Sequence, residues 1–319
     1  MTSQPTVDQL GARVRGAALQ RAFDYFAVQQ PDRADFVAAA ERICADPIAL
    51  GRIGEVVGRL RAGMGRMLAP QQMFLPAAFD PQDPDEPVEA RFFYPVAFAA
   101  TLPDTLAFHR TRAIPDSGSR AILADVGRHL RVFERTFGHT GLHVQNWISL
   151  HLRGMIFDFG RLQADLEVLD ASAAVVRTAC LPVVTGSVVA GIHIPDSGPL
   201  RPAEVDASLA RMQPFFAQHF PELPPISVAR CTSWLLDEQL LELVPDSNIA
   251  RFGARWRRIG APTDGDESVR NFVFRRPYAD PADLTGSTRL EQALLAHWRV
   301  GGHLHQRSGL LKLPGAVPS

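Results

Sequence analysis

From Val7 to about Leu68, apolar residues recur at helical spacing: Leu10, Val14, Ala18, Phe23 and Phe26, then Phe36, Ala40 and Ile43, then Ile53, Val57, Leu60 and Met64. No alternating run interrupts them, so this stretch reads as helices joined by short turns. Pro81 to Pro87 is an acidic, proline-rich loop that neither a helix nor a central strand tolerates. Helices resume from Tyr94 to about Arg112. They continue from Ser117 or Ser119 through Ile122, Val126, Leu130 and Phe133 to Phe137, and from about His143 to Phe157.

After Gly160 the period changes from helical to alternating. Arg161 to Leu169 alternates polar with apolar residues, the pattern of a half-buried strand, and Val188 to Ile194 is a near-continuous apolar strand. Pro202 to Phe220 carries Val205, Leu209, Met212 and Phe216 on one face of a helix, and Pro214 within it is expected to kink it or end it early. Ile226 to Leu236 reads as a strand, followed by short helices from about Asp237 to Val244 and near Ser247 to Phe252. Further strands are expected near Ala254 to Ile259 and Val269 to Arg275. A last helix runs from about Thr288 to Val300 and is ended by Gly301 and Gly302. The architecture this predicts is α+β. An all-helical N-terminal domain, residues 1–140, is followed by a mixed β-sheet domain with flanking helices, residues 141–319.

Length agrees with two domains, since single cores stop growing near ~250 residues and the chain has 319. Its 33 basic and 34 acidic residues nearly cancel, which leaves no electrostatic footprint for nucleic acid or for an anionic membrane. Cys44, Cys180 and Cys231 are odd in number, widely spaced and follow no zinc or redox pattern, as expected in a reducing, cytoplasmic setting. The start Met1-Thr2-Ser3-Gln4-Pro5 lacks a signal peptide's charged and apolar segments, and no stretch approaches the ~20 apolar residues of a membrane span. Serine-hydrolase elbows, Walker loops and dinucleotide-binding glycine fingerprints are absent from the sequence.

One junction stands out as chemistry. The strand ending at Ile194 stops in the turn Pro195-Asp196-Ser197-Gly198, and Pro202 stands where a first helical residue would be, with Glu204 in the first turn. A helix N-terminus offers unpaired N–H groups and roughly half a positive charge, which suits an anion. The same Ile-Pro-Asp-Ser-Gly turn occurs at Ile114 to Gly118, where turn and cap chemistry alone accounts for it.

His193, in the strand beside that turn, has the side chain to act as a general base near neutral pH. Cys231, Thr232 and Ser233 make a small polar patch in an otherwise apolar strand, from which Cys231 and Ser233 are candidates for donating to a carbonyl or carrying a covalent group. Packing is the competing reading for all three. His303 and His305 share a face if extended, but no Cys, Asp or Glu nearby in sequence completes a shell, so no metal is expected and a metal-dependent hydrolase is the most distant reading.

Four blocks in order carry a resemblance: Gly191-Ile192-His193-Ile194-Pro195 with Ser197-Gly198-Pro199-Leu200; Ser233-Trp234-Leu235-Leu236-Asp237; Pro245-Asp246-Ser247-Asn248-Ile249; and Gly301-Gly302-His303 with Arg307 and Gly309. Together with Phe93-Tyr94-Pro95, Ile114-Pro115-Asp116, Leu123-Ala124-Asp125, Leu152-Arg153-Gly154 and Gly160-Arg161-Leu162-Gln163, they resemble the two-domain bacterial acyltransferases, which join a helical N-terminal domain to a GNAT-like C-terminal domain. The resemblance spans about Arg91 to Leu313.

It implies transfer of an acyl group from acyl-CoA or acetyl-CoA, as cosubstrate, to an amine by direct attack. The alternative it leaves is a non-catalytic GNAT-like binder of acyl-CoA or another small ligand. In GNAT folds the fourth and fifth strands splay apart, the pantetheine lies between them, and the pyrophosphate rests on the next helix's N-terminus. By position, Ile192, His193 and Ile194 would meet the pantetheine, and Ser197, Gly198, Leu200 and Arg201 the pyrophosphate. Two departures stand out: Asp196 puts a carboxylate in the phosphate loop, and the helix after the fifth strand has no tyrosine to protonate a leaving thiolate. Partners implied are a small-molecule acceptor, with neither nucleic acid nor membrane, and a homodimer is left open.

Overall fold

The computed structural model describes residues 5–315; Met1 to Gln4, on which the signal-peptide expectation partly rests, lie outside the described residues. The chain folds as two compact units, residues 1–157 and 158–319.

The first unit is helical among the described residues. Its helices are Val7–Arg13, Gly16–Phe26, Asp32–Ala45, Pro47–Ala62, Val88–Arg91, Phe93–Thr111, Asp116–Leu123, Asp125–Phe137 and Gln145–Leu152. Local chemistry sets their ends. Thr6 and Gln9 form a reciprocal capping box, Asp46 caps the helix that Pro47 opens, and Gly138 ends another in the left-handed conformation. Phe93–Thr111 is the hub: thirteen of its residues are buried, including Phe93, Val96, Phe98 and Leu102, and it packs against Pro47–Ala62, Asp32–Ala45 and Gln145–Leu152. A contiguous core including Phe23, Phe36 and Phe92 joins these helices, with ring centroids 5.2 Å apart for Phe23–Phe36 and 5.5 Å for Phe36–Phe92.

Two expectations change here. The single helix expected up to Phe137 is two, broken at Ala124 between Leu123 and Asp125. The expected domain junction fell at residues 140 and 141, whereas the compact units divide after Phe157. The helix Gln145–Leu152 packs on Phe93–Thr111, Asp116–Leu123 and Asp125–Phe137, and so lies with the helical unit.

Among the described residues six strands form one mixed sheet: β1 Ile156–Asp158, β2 Gln163–Val168, β3 Val188–His193, β4 Val228–Ser233, β5 Arg257–Asp264 and β6 His305–Lys312, in spatial order β1-β2-β3-β4-β6-β5. The end of the expected helix to Phe157 is β1. Residues 269–275 are not a strand: they lie in a helical turn, Asp266–Val269 continuing through Arg270–Phe274, and the strand beside β5 is instead β6 from beyond the last helix. Asp266 explains both observations. Its carboxylate accepts Trp298 Nε1 (2.7 Å), His303 Nδ1 (2.7 Å) and the Leu304 amide (2.8 Å), which holds the turn against the entry to β6. Pro214 lies inside a helix that runs on from Pro202 to His219; one missing N–H is outweighed by burial of Leu209, Met212 and Phe216 on either side of it.

Candidate active site

Register places the site. β2 and β3 pair antiparallel over their full length, from Gln163↔His193 to Val168↔Val188, and β4 and β6 pair from Val228↔Lys312 to Ser233↔Arg307. Between them, parallel β3 and β4 pair at only two positions, Ala190↔Ala229 and Gly191↔Arg230. Beyond that rung the strands part. Ile192 and His193 on one side, and Cys231, Thr232 and Ser233 on the other, present backbone edges with no partner strand between them.

The turn after β3 lies at the end of this opening. Arg161 holds it by three carbonyls: Nη1 donates to Pro195 O (3.1 Å), Nη2 to Gly198 O (2.7 Å) and Nε to Pro199 O (3.0 Å). The Arg161 amide in turn donates to Ser208 Oγ on the helix Pro202–His219 (3.1 Å). Loop and helix are therefore tied to one residue, the loop by the Arg161 guanidinium and the helix by its amide. Gly198 has φ +113°, a conformation that glycine adopts readily, and a Cβ there would meet nothing within 4 Å.

Four amides were expected to face an anion. Those of Ser197 and Arg201 are already used, donating to Pro195 O (2.8 Å) and Pro199 O (3.0 Å). The amides of Gly198 and Leu200 donate to no group among the described residues. The Arg201 guanidinium pairs with Glu204 (3.0 Å). Asp196 caps no helix; it pairs with Arg275 (2.6 Å). That guanidinium offsets the carboxylate which stood against a phosphate in this loop.

On the sheet face at the last rung, polar groups converge. Side chains of paired residues share a face, so Asp165 and Glu167 of β2 project beside Gly191 and His193 of β3 and Arg230 of β4. His193 Nε2 lies 3.3 Å from Asp165 Oδ1, with the imidazole one-third exposed (33%) and the carboxylate half as much (16%). Arg230 approaches Glu167 (3.7 Å) and Asp170 (2.8 Å). Burial, with the Asp165 charge added and Arg230 and His193 opposing, pushes the Glu167 carboxyl up to about 7.

The other candidates lie apart from this cluster. Cys231 alternates to the opposite face, is buried, and has its thiol pushed far above the ordinary range by burial and then by Glu167, which keeps it protonated and inert. Ser233 Oγ accepts the Leu235 amide (3.1 Å) and so caps the turn Trp234–Leu236. Ile192 is buried at the opening and Ile194 half-buried beyond it. His303 bonds Asp266, and His305 lies 3.3 Å from Asp237, two separate carboxylates; among the described residues no group of three or more His, Cys, Asp or Glu is arranged for a metal.

Sequence reasoning missed Asp165, Glu167, Arg161 and the role of Arg275. A carboxylate at every second position of a half-buried strand was the available signal for the first two, but which strand faced them was invisible.

A mixed sheet whose parallel central pair parts at its carboxyl ends, with a helix N-terminus beyond, defines a GNAT-like acyl-transfer fold. Residues 156–311 match the GNAT-like C-terminal domain, and residues 17–154 match the N-acyltransferase N-terminal domain. The chain belongs to the two-domain acyltransferases that combine them. It is similar to the crystal structure of an acyltransferase in complex with CoA and 10C-teicoplanin (32% identity, 97% of this chain and 93% of that one, TM-score 0.82). It is also similar to one in complex with decanoyl-CoA (33% identity, 94% and 89%, TM-score 0.78) and to an acyltransferase mutant in complex with octanoyl-CoA (32% identity, 94% and 89%, TM-score 0.81). No curated protein matches the chain.

Proposed function

We propose that this chain passes a medium-length acyl group from acyl-CoA to an amine, with His193 taking the amine's proton. Acyl-CoA-dependent acyl transfer is the activity of the chain; the roles of residues, the acyl length and the acceptor are our reading. The observation that carries it is the two-rung pairing of β3 with β4, which leaves the edges of Ile192 and His193 and of Cys231 to Ser233 unpaired with one another, with the amides of Gly198 and Leu200 beyond the end of β3. An extended pantetheine fits between these edges as an added strand along Ile192 to Ile194, leaving the pyrophosphate beside the loop of Ser197, Gly198, Leu200 and Arg201. The thioester carbon then lies toward His193.

The amine nitrogen attacks that carbon, its proton passes to His193, and the C–S bond breaks with its electron pair on sulfur. The thiolate takes a proton to leave as CoA thiol, and the product is an amide. Octanoyl- and decanoyl-CoA in the relatives support a medium chain over acetyl, and teicoplanin supports a large glycopeptide acceptor. The unpaired thiols of Cys44, Cys180 and Cys231 suit a cytoplasmic location. No helix among the described residues is long and apolar enough to cross a membrane.

Thiol release with acetyl-, octanoyl- and decanoyl-CoA, each with amino-sugar and glycopeptide amines, tests the reading. We expect turnover with the longer donors and, for His193→Ala, a loss in kcat of about 10²–10⁴ at unchanged acyl-CoA affinity. Tight binding with no thiol release under any pairing would make the chain a binder instead. Full turnover by His193→Ala would remove the base.

A further inference from the structure

Gly191 sits mid-strand, where glycine weakens pairing and needs a reason. The reason is a carboxylate: a Cβ at Gly191 would stand 2.0 Å from Asp165 Oδ1 and 3.1 Å from Glu167 Cδ. Both acidic side chains lean across the bare glycine toward the point where β3 and β4 part. Gly191 pairs Asp165 on one side and Arg230 on the other, so the last rung of the sheet carries Asp165, an empty position and a guanidinium in a row.

From this geometry we infer that Asp165 is the positioning residue of the acyl transfer, holding the Nε2 side of the His193 imidazole so that Nδ1 is the nitrogen that accepts the amine's proton. This rests on the reading of His193 as base. Asp165 and Glu167 of β2 act on the imidazole, and Arg230 of β4 pairs with Glu167 beside them. The 3.3 Å approach of Nε2 to Asp165 Oδ1 is an ion-pair distance. Asp165 gains no proton in the step. It fixes the tautomer with hydrogen on Nε2 and offsets the positive charge that appears when Nδ1 is protonated, and that proton then leaves to sulfur or solvent. Burial pushes the Glu167 carboxyl up to about 7, which limits the second negative charge beside Asp165.

The full chain carrying Asp165→Asn tests this, read by acyl-CoA affinity and by kcat and KM separately with decanoyl-CoA and an amine. Positioning predicts acyl-CoA affinity within about 2-fold of the parent and kcat down by about 10²-fold or more. Asp165→Asn added to His193→Ala should cost nothing further. If His193→Ala is inactive but Asp165→Asn turns over within about 3-fold of the parent, Asp165 is not the positioning residue and the base stands. If His193→Ala is active, the reading of the base fails first. Gly191→Ala reaches the same point independently: its methyl displaces the Asp165 carboxylate, and it should reproduce the loss in kcat. Full kcat in Gly191→Ala with bound acyl-CoA would equally overturn the inference.

Discussion

Both units bury ionisable side chains, and they use them in opposite ways. In the helical unit Asp125 is 1% exposed and accepts from Trp147 Nε1 (3.2 Å), with His151 Nε2 3.0 Å away and the Arg128 guanidinium paired to it. His109, also 1% exposed, shares a hydrogen bond with Ser119 (2.9 Å), and burial depresses its imidazole to about 4, so it stays neutral. These groups tie helices together. In the sheet unit, Asp165, Glu167, His193 and Arg230 are partly exposed and gather at the one rung where the ladder stops. Residue types do not separate the two cases; access does. A histidine sealed among helices can only pack, whereas one at a parting pair of strands can exchange protons with what enters.

The largest effect that would sharpen this contrast lies at the phosphate loop. Gly198→Asp should weaken acyl-CoA binding about 100-fold or more, because a carboxylate would face the phosphates and a left-handed position would carry a side chain; calorimetry reads it. Unchanged affinity would move the anion site elsewhere.

Next comes the helical unit. A Cβ at Gly127 would lie 2.3 Å from Phe26 O and 2.5 Å from Ala27 O, backbone that cannot yield cheaply. Gly127→Ala should therefore cost about 2 kcal/mol in urea unfolding while leaving acyl-CoA affinity intact. Equal loss of affinity would break the separation of packing from chemistry.

A smaller effect carries a pH signature. Burial, with Glu134 and Asp35 adding to it, pushes the Asp32 carboxyl up to about 7, and its Oδ1 is buried without a hydrogen-bond partner. The folded state thus holds this proton more tightly than the unfolded chain. Its contribution is complete below the ordinary carboxylate value near ~4 and declines as pH rises through about 7. Asp32→Asn should stabilise by on the order of 1 kcal/mol at pH 8 and by little at pH 4, in denaturant melts at both. A gain that does not grow with pH would show that the carboxyl titrates normally.

The smallest expected effect is Cys231→Ala, with kcat within about 2-fold of the parent because its thiol is sealed on the far face. A large fall would restore the covalent candidate.

The legibility of the chain followed distance in sequence. Helices of the first unit were readable because each declares itself over a few turns through apolar spacing and caps such as Thr6 and Asp46. The turn at Pro195 to Gly198 and the helix from Pro202 were readable for the same reason. The strand misread at residues 269–275 was apolar enough to mislead, and only the bonds from Asp266 to Trp298, His303 and Leu304 show why it coils. Asp196 looked like an obstacle until Arg275, far along the chain, proved to be its partner.

The sequence by itself determined a helical half, a sheet half and the turn that leads from the strand ending at Ile194 into the helix from Pro202, because period, turn residues and caps act between neighbours a few positions apart. Only the tertiary structure decided that β6 inserts between β4 and β5, that β3 and β4 share just two rungs, and that Asp165 reaches His193 across Gly191. Strand order and register are chosen by which faces the whole sheet can bury, and that choice is invisible until distant segments meet.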